Sequence, residues 1–169
     1  QMLLGNLRYV RAKLHEGGLK DDDVCHDLLA RIVFVQFLFD RKDSKGHAAL
    51  NPGKLVSLQR DGILRKLHID FPSILEHYEE TYRLFDWLNT KFNGDLFPSK
   101  GNTPAERERG WRKEKAHVKA AHLRLLSEFV KGDLDMPIGQ RCLWPQYAFD
   151  VIPLEFISSI YETFVSERA

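Results

Sequence analysis

An all-α fold is predicted from three features of this 169-residue chain. Apolar residues recur at i, i+3, i+4 and i+7 in several long stretches. Signals for strands are few, and no internal repeat or low-complexity tract interrupts the helical pattern. The hydrophobic fraction, 43 %, is enough to build a core, and the length suits one domain spanning 1–169. The expected architecture is an irregular bundle of roughly five main helices joined by long irregular connections.

The first helix is read over Met2 to Glu16. Leu3, Leu4, Leu7, Val10 and Leu14 share one face, and Gly17-Gly18 stops it. Asp21, Asp22 and Asp23 open the second helix, where carboxylates suit the macrodipole and supply caps. A metal cluster is the rival reading of that triplet, but adjacent helical positions splay around the axis. The second helix runs to about Lys42. Its longest apolar stretch, Ile32 to Phe39, is broken by Gln36 and flanked by Arg31 and Asp40. Being apolar almost all round, it should be the central helix.

"DSKGHAALNPGK" reads as a loop, with short helical pieces following around Leu55 to Leu67. Pro72 then starts a third long helix whose stripe is Ile74, Leu75, Tyr78, Tyr82, Phe85, Leu88 and Phe92, with Asn93-Gly94 as its stop. "SKGNTPAERERG" is polar and reads as a surface connection. A fourth helix is expected from Arg112 to Lys131, closed by Gly132, on the stripe Val118, Ala121, His122, Leu125, Leu126, Phe129 and Val130. Leu134 to Ile152 reads as irregular. A last amphipathic helix begins at Pro153 and buries Ile157, Ile160, Tyr161, Phe164 and Val165.

Charge and motifs exclude more than they assign. With 25 basic and 24 acidic residues, the net charge of +1 offers no global attraction to nucleic acid or an acidic surface. Cys25 and Cys142 have no ligand spacing and read as buried thiols of a reducing compartment. No membrane-length apolar run or signal peptide is seen, so a cytoplasmic protein is expected. Asn51 to Lys54, "NPGK", lacks the residues of a phosphate loop. Asp43-Ser44-Lys45 follows a helix rather than a strand, which argues against a nuclease centre. The histidines form no metal motif; His117 and His122 do not share a face, and His122 reads as a satisfied core histidine. Glu79-Glu80 and Glu155…Glu162 read as solvated faces. No catalytic residue, metal site or cofactor site is assigned.

One local patch is a candidate nucleic-acid site. Lys100, Arg107, Arg109, Arg112, Lys113, Lys115 and Lys119 surround Trp111, against Glu106, Glu108 and Glu114. Such residues could hold phosphates and stack on a base or sugar. The bland alternative is a salt-bridged, solvated helix start.

Three segments also carry a resemblance. "LLARIVFVQFLFDRK" (Leu28 to Lys42), "FNGDLFP" (Phe92 to Pro98) and "YAFDVIPLEFISSIYETFV" (Tyr147 to Val165) resemble, in this order, the helical region preceding the catalytic core of adenine-specific DNA methyltransferases. These include fused type IIG restriction–modification enzymes and related phage-defence methylases. The likeness runs from about Leu3 to Val165, and its third segment is the most specific. Where members often carry Asp-Phe-Ser, this chain has Ala148-Phe149-Asp150, which shifts the acidic residue.

The resemblance implies a parent enzyme that transfers a methyl group from S-adenosylmethionine to adenine N6 in DNA. The glycine-rich cofactor loop and the Asn-Pro-Pro-aromatic motif that holds a flipped adenine do not occur in this sequence. The chain is therefore expected to be a non-catalytic helical connector, a piece of a longer protein whose partners are the missing methyltransferase domain and DNA. Tyr161 and Phe164 would dock on that domain. A stand-alone helical DNA-binding module, or a protein-interaction module, is the alternative.

Overall fold

A computed structural model describes residues 2–40, 42, 45–92 and 100–132, with side chains described from residue 5 onward. The expectations for Cys142, for the aromatic segment at Trp144–Phe149 and for the terminal helix with Tyr161 and Phe164 lie outside the described residues. Within them the fold is all-α. Seven helices occur in the order α1 (Met2–Glu16), α2 (Asp22–Asp40), α3 (Pro52–Arg60), α4 (Phe71–Leu75), α5 (Tyr78–Lys91), α6 (Pro104–Lys115) and α7 (Ala120–Lys131). The sole β-type pairing among the described residues is an isolated antiparallel bridge, Lys42 with Ala48.

α1 ends as its sequence dictates. Gly17 and Leu19 donate backbone N–H bonds to Lys13 and Leu14, and Gly18 takes φ +102°. That left-handed residue reverses the chain and seats Leu19 in the core. Asp21 then caps α2 by accepting the N–H of Val24 at 3.0 Å, so the acidic triplet starts a helix. Every position of α2 from Leu28 to Val35 is buried, which makes it the central helix. α3 starts at Asn51, whose side chain accepts the N–H of Lys54 at 2.8 Å with Pro52 just inside the helix. "NPGK", read as the end of a loop, is the capped start of α3.

Both long helices expected downstream are broken. The stretch Pro72–Phe92 divides at Glu76-His77 into α4 and α5. Thr81 compensates the break: its hydroxyl donates to the carbonyls of Ile74 and His77 at 2.9 and 3.1 Å. The stretch Arg112–Lys131 divides at Ala116–Lys119. There the Tyr78 hydroxyl donates to the Val118 carbonyl at 2.7 Å, and His122 Nδ1 accepts the Lys119 N–H at 2.9 Å. A ring nitrogen thus takes the place of a capping oxygen at the start of α7. Because Nδ1 accepts, Nε2 carries the proton and donates to the Gly17 carbonyl at 2.8 Å. His122 is buried and satisfied, as expected, and it ties α1 to α7. Gly132, at φ +92°, closes α7.

A further correction concerns the polar stretch around Thr103. It is a helix start: Thr103 accepts the Glu106 N–H, Glu106 accepts the Thr103 N–H, and Pro104 occupies the first turn. This capping box was readable in Thr-Pro-Ala-Glu.

Glu79 and Glu80, read as a solvated pair, part company. Glu79 is exposed, but Glu80 is only 4 % exposed. Its carboxylate accepts the N–H groups of Arg65 and Lys66 at 3.1 and 2.9 Å and lies 2.9 Å from His68 Nε2. Burial alone would raise the Glu80 pKa, but those donors outweigh it and hold the carboxyl below its usual range. Glu80 thereby clasps the 65–68 part of the 61–70 loop to α5.

Replacing Glu80 by alanine leaves two backbone donors and His68 without their shared acceptor. A loss of about 2–4 kcal/mol is expected from urea unfolding, with amide exchange quickened at Arg65 and Lys66 before the rest of the bundle. A change under about 0.5 kcal/mol would mean that the clasp is not needed.

Candidate nucleic-acid interface

The predicted basic patch lies on the connection before α6, on α6 itself and on the turn after it. α6 is amphipathic in charge, and its inward face is set by one buried acid, Glu114, at 1 % exposure. Opposite it stands Arg31 from the middle of α2, at 0 % exposure. Sequence reasoning had set Arg31 at the edge of an apolar run; it is at the centre of the core.

Arg31 Nη2 donates to Glu114 Oε1. The Tyr82 hydroxyl donates to Glu114 Oε2 at 2.7 Å, and Lys100 Nζ stands 3.1 Å from Oε1. The Arg31 guanidinium also lies over two rings, 5.2 Å from the centroid of Phe85 and 5.0 Å from that of Trp111. Those faces stabilise a cation where water cannot. Asp27 completes the group, 3.9 Å from Lys100.

Arg31 and Lys100 therefore face Glu114 and Asp27, two charges of each sign. Burial would raise the Glu114 pKa, but Arg31 and Lys100, with the bonds from Tyr82 and Arg31, bring it below the usual carboxylate range. At half-buried Asp27 desolvation prevails and pushes the pKa up. Burial, with Glu114 beside it, also raises the Tyr82 phenol. Glu114 is engaged by three donors, which makes it a structural anion rather than a base open to substrate.

Lys100 reaches this cluster because the backbone is guided there. Asn89 on α5 accepts the Lys100 N–H at 2.7 Å and donates to the Gly101 carbonyl at 3.3 Å. Two glycines permit the crossing. A Cβ on Gly101, at φ +137°, would stand 2.5 Å from the Cβ of Glu106, and one on Gly110 would stand 2.9 Å from the Cβ of Lys100. Both glycines were visible in the sequence, but their meaning depends on the chain packed above them.

The other patch residues divide by direction. Arg107 Nε donates to Asp86 Oδ1 at 3.0 Å, and Trp111 Nε1 donates to the same oxygen at 2.8 Å. Trp111, at 6 % exposure, is a core residue packed with Tyr82 and Phe85; burial removes it as a platform for a base. Lys115 lies over the Tyr82 ring, 4.9 Å from its centroid, and pairs with Glu79 at 3.7 Å. Arg109, Arg112, Lys113 and Lys119 are exposed. Arg112 pairs with Glu108 at 2.9 Å one turn back, and Lys119 Nζ is 3.4 Å from the Lys115 carbonyl. Of the eight residues proposed, four face solvent and four hold the fold together.

A groove of about 710 Å³ runs between α5 and α6, lined among others by Arg83, Trp87, Thr90, Arg107 and Trp111. Among the described residues no group of histidine, cysteine, aspartate and glutamate side chains is arranged to hold a metal ion. Cys25 is a free thiol whose burial pushes its pKa to about 12. No helix of the described residues is long and apolar enough to cross a membrane.

The Glu114 pKa is lower in the folded state than its ordinary value of 4.5. Its contribution to stability is then complete above that value and disappears as pH falls through the depressed folded-state value. Glu114→Gln should therefore be markedly less stable than the parent chain at about pH 7, with the gap closing towards about pH 3. Asp27, with its raised pKa, acts in the opposite sense in the parent chain. Urea midpoints at the two pH values check this, and a gap independent of pH would contradict it.

Comparison with protein-family models, with curated proteins and with solved structures finds no match to this chain.

Proposed function

We propose that the chain is a non-catalytic helical domain of an adenine-specific DNA methyltransferase or restriction–modification protein acting in the cytoplasm. The carrying observation is the ordered set of three family-like segments. The first of them, Leu28–Lys42, supplies most of the central helix α2 and the buried Arg31. A domain knitted by a buried ion cluster suits a spacer that holds a neighbouring catalytic core at a fixed angle. The parent would use S-adenosylmethionine to methylate adenine N6. Tyr161 and Phe164, outside the described residues, are the proposed docking residues for that core. The domain would also steady the complex by touching the DNA backbone. The exposed cations Arg109, Arg112, Lys113 and Lys119 support that part of the reading.

Isothermal titration of the chain with S-adenosylmethionine separates a connector from a catalytic domain. No saturable heat is expected, and methyl transfer to duplex DNA by the chain alone should remain at background. Clear stoichiometric binding would contradict the connector reading.

A further inference from the structure

Pairing empties much of the charge from the predicted patch and leaves it elsewhere. On α6, Arg107, Arg112 and Lys115 each face a carboxylate: Asp86, Glu108 and Glu79. On the adjoining face of α5 and α3, Lys54, Arg83 and Lys91 have none among the described residues. Lys54 Nζ, from α3, lies 5.3 Å from the centroid of the Trp87 ring, and Lys91 Nζ lies 5.7 Å from it. Neither lysine has a carboxylate partner among the described residues. Arg83, one turn before Trp87, donates Nε to the Ile63 carbonyl at 2.8 Å and Nη2 to the Gly62 carbonyl at 2.7 Å. Those acceptors fix the guanidinium but carry no formal charge. Two lysines therefore lie over one half-buried tryptophan and Arg83 stands one helical turn before it, none with a carboxylate partner among the described residues; Arg83 and Trp87 also line the α5–α6 groove.

We propose that the face formed by Lys54, Arg83, Trp87 and Lys91 holds the phosphate backbone of duplex DNA. The inference rests on the DNA-contact part of the function proposed above and moves that contact from α6 to α5 and α3. Backbone rather than base contact follows from the geometry. Two ammonium groups already lie over the indole, so its role is to hold charge in place rather than to stack on a base. Arg83 has its fork committed to carbonyls, so it contributes charge without reading a base edge. From Arg83 to Lys91 the face runs about 12 Å along the helix axis, enough for a short stretch of one strand. Binding should be indifferent to sequence and steep in salt.

Fluorescence anisotropy with a labelled duplex tests this. With two or three phosphates engaged, affinity should fall roughly 10- to 40-fold between about 50 and about 200 mM salt. The pair Lys54→Glu/Lys91→Glu should weaken binding by about tenfold or more at the lower salt and flatten the salt dependence. The neutral pair Lys54→Gln/Lys91→Gln should fall between. Arg109→Glu/Lys113→Glu on α6 should weaken binding clearly less than the Lys54→Glu/Lys91→Glu pair does. An unchanged helical circular dichroism spectrum shows that the variants are folded.

Undiminished binding by both Lys54/Lys91 pairs would overturn the site. Loss confined to the Arg109/Lys113 pair would overturn it too, while leaving DNA contact through α6 intact. Tighter binding to a single strand than to a duplex would refute the duplex-backbone assignment. Absence of binding at low salt would remove both the site and the DNA-contact role. The connector role stands or falls separately, on the S-adenosylmethionine titration.

Discussion

The bundle depends on a buried charge meeting its partner. Arg31 comes from α2, Tyr82 from α5 and Glu114 from α6, and Lys100 comes from the connection between the last two. Taking a guanidinium and a carboxylate out of water costs several kcal/mol per ion, and their attraction offsets that only when the geometry is good. Here the carboxylate has three donors and the guanidinium lies over two aromatic rings. Arg31 Nε and Nη1 have no hydrogen-bond partner among the described residues, so the rings and Glu114 carry its stabilisation. Apolar packing of α2 against α5 and α6 tolerates small slides; a buried ion pair does not. The cluster therefore selects one arrangement of these three helices.

That selection also decides which charges remain outside. Glu114 draws Lys100 inward, and Asp86 and Glu79 on α5 draw in Arg107 and Lys115. These bonds bring α6 onto α5 and bury Trp111 between Arg31, Tyr82 and Phe85. A stretch that reads as a single basic patch is thus divided between the joint and the surface. Of the acids of α5, Asp86 and Glu79 are occupied by α6 and Glu80 by the 61–70 loop, which leaves Lys54, Arg83 and Lys91 without a carboxylate partner among the described residues. The charge pattern proposed for DNA is a consequence of how the core is joined.

The sequence carried the local parts of this account and missed the non-local ones. The Leu7–Val10–Leu14 stripe, the Asp21 cap, the all-round burial of α2 and the Gly132 stop depend on neighbours within a few residues, and each was legible. His122 was legible because it fell on an apolar stripe. The breaks at Glu76-His77 and Ala116–Lys119 were not, because they are compensated by Thr81, Tyr78 and the His122 ring rather than marked by proline or glycine. Glu80 and Arg31 were misplaced for a related reason. A charged residue on a helix is ordinarily solvated, and the partners that bury these two lie 12 to 15 and 83 positions away. The capping box at Thr103–Glu106 was in plain view but was outweighed by the polarity around it. Trp111 looked available to a base because its indole partner, Asp86, is 25 positions away.

A double-mutant cycle on Arg31 and Glu114, read by urea unfolding, tests most directly whether the buried pair organises the bundle. Arg31→Met and Glu114→Leu should each lose about 3–5 kcal/mol, because each strands the other's charge in the core. The double variant should lose less than the sum by about 2 kcal/mol or more, since two apolar side chains leave neither of these charges behind. Strictly additive losses, or single variants within about 0.5 kcal/mol of the parent chain, would contradict the account.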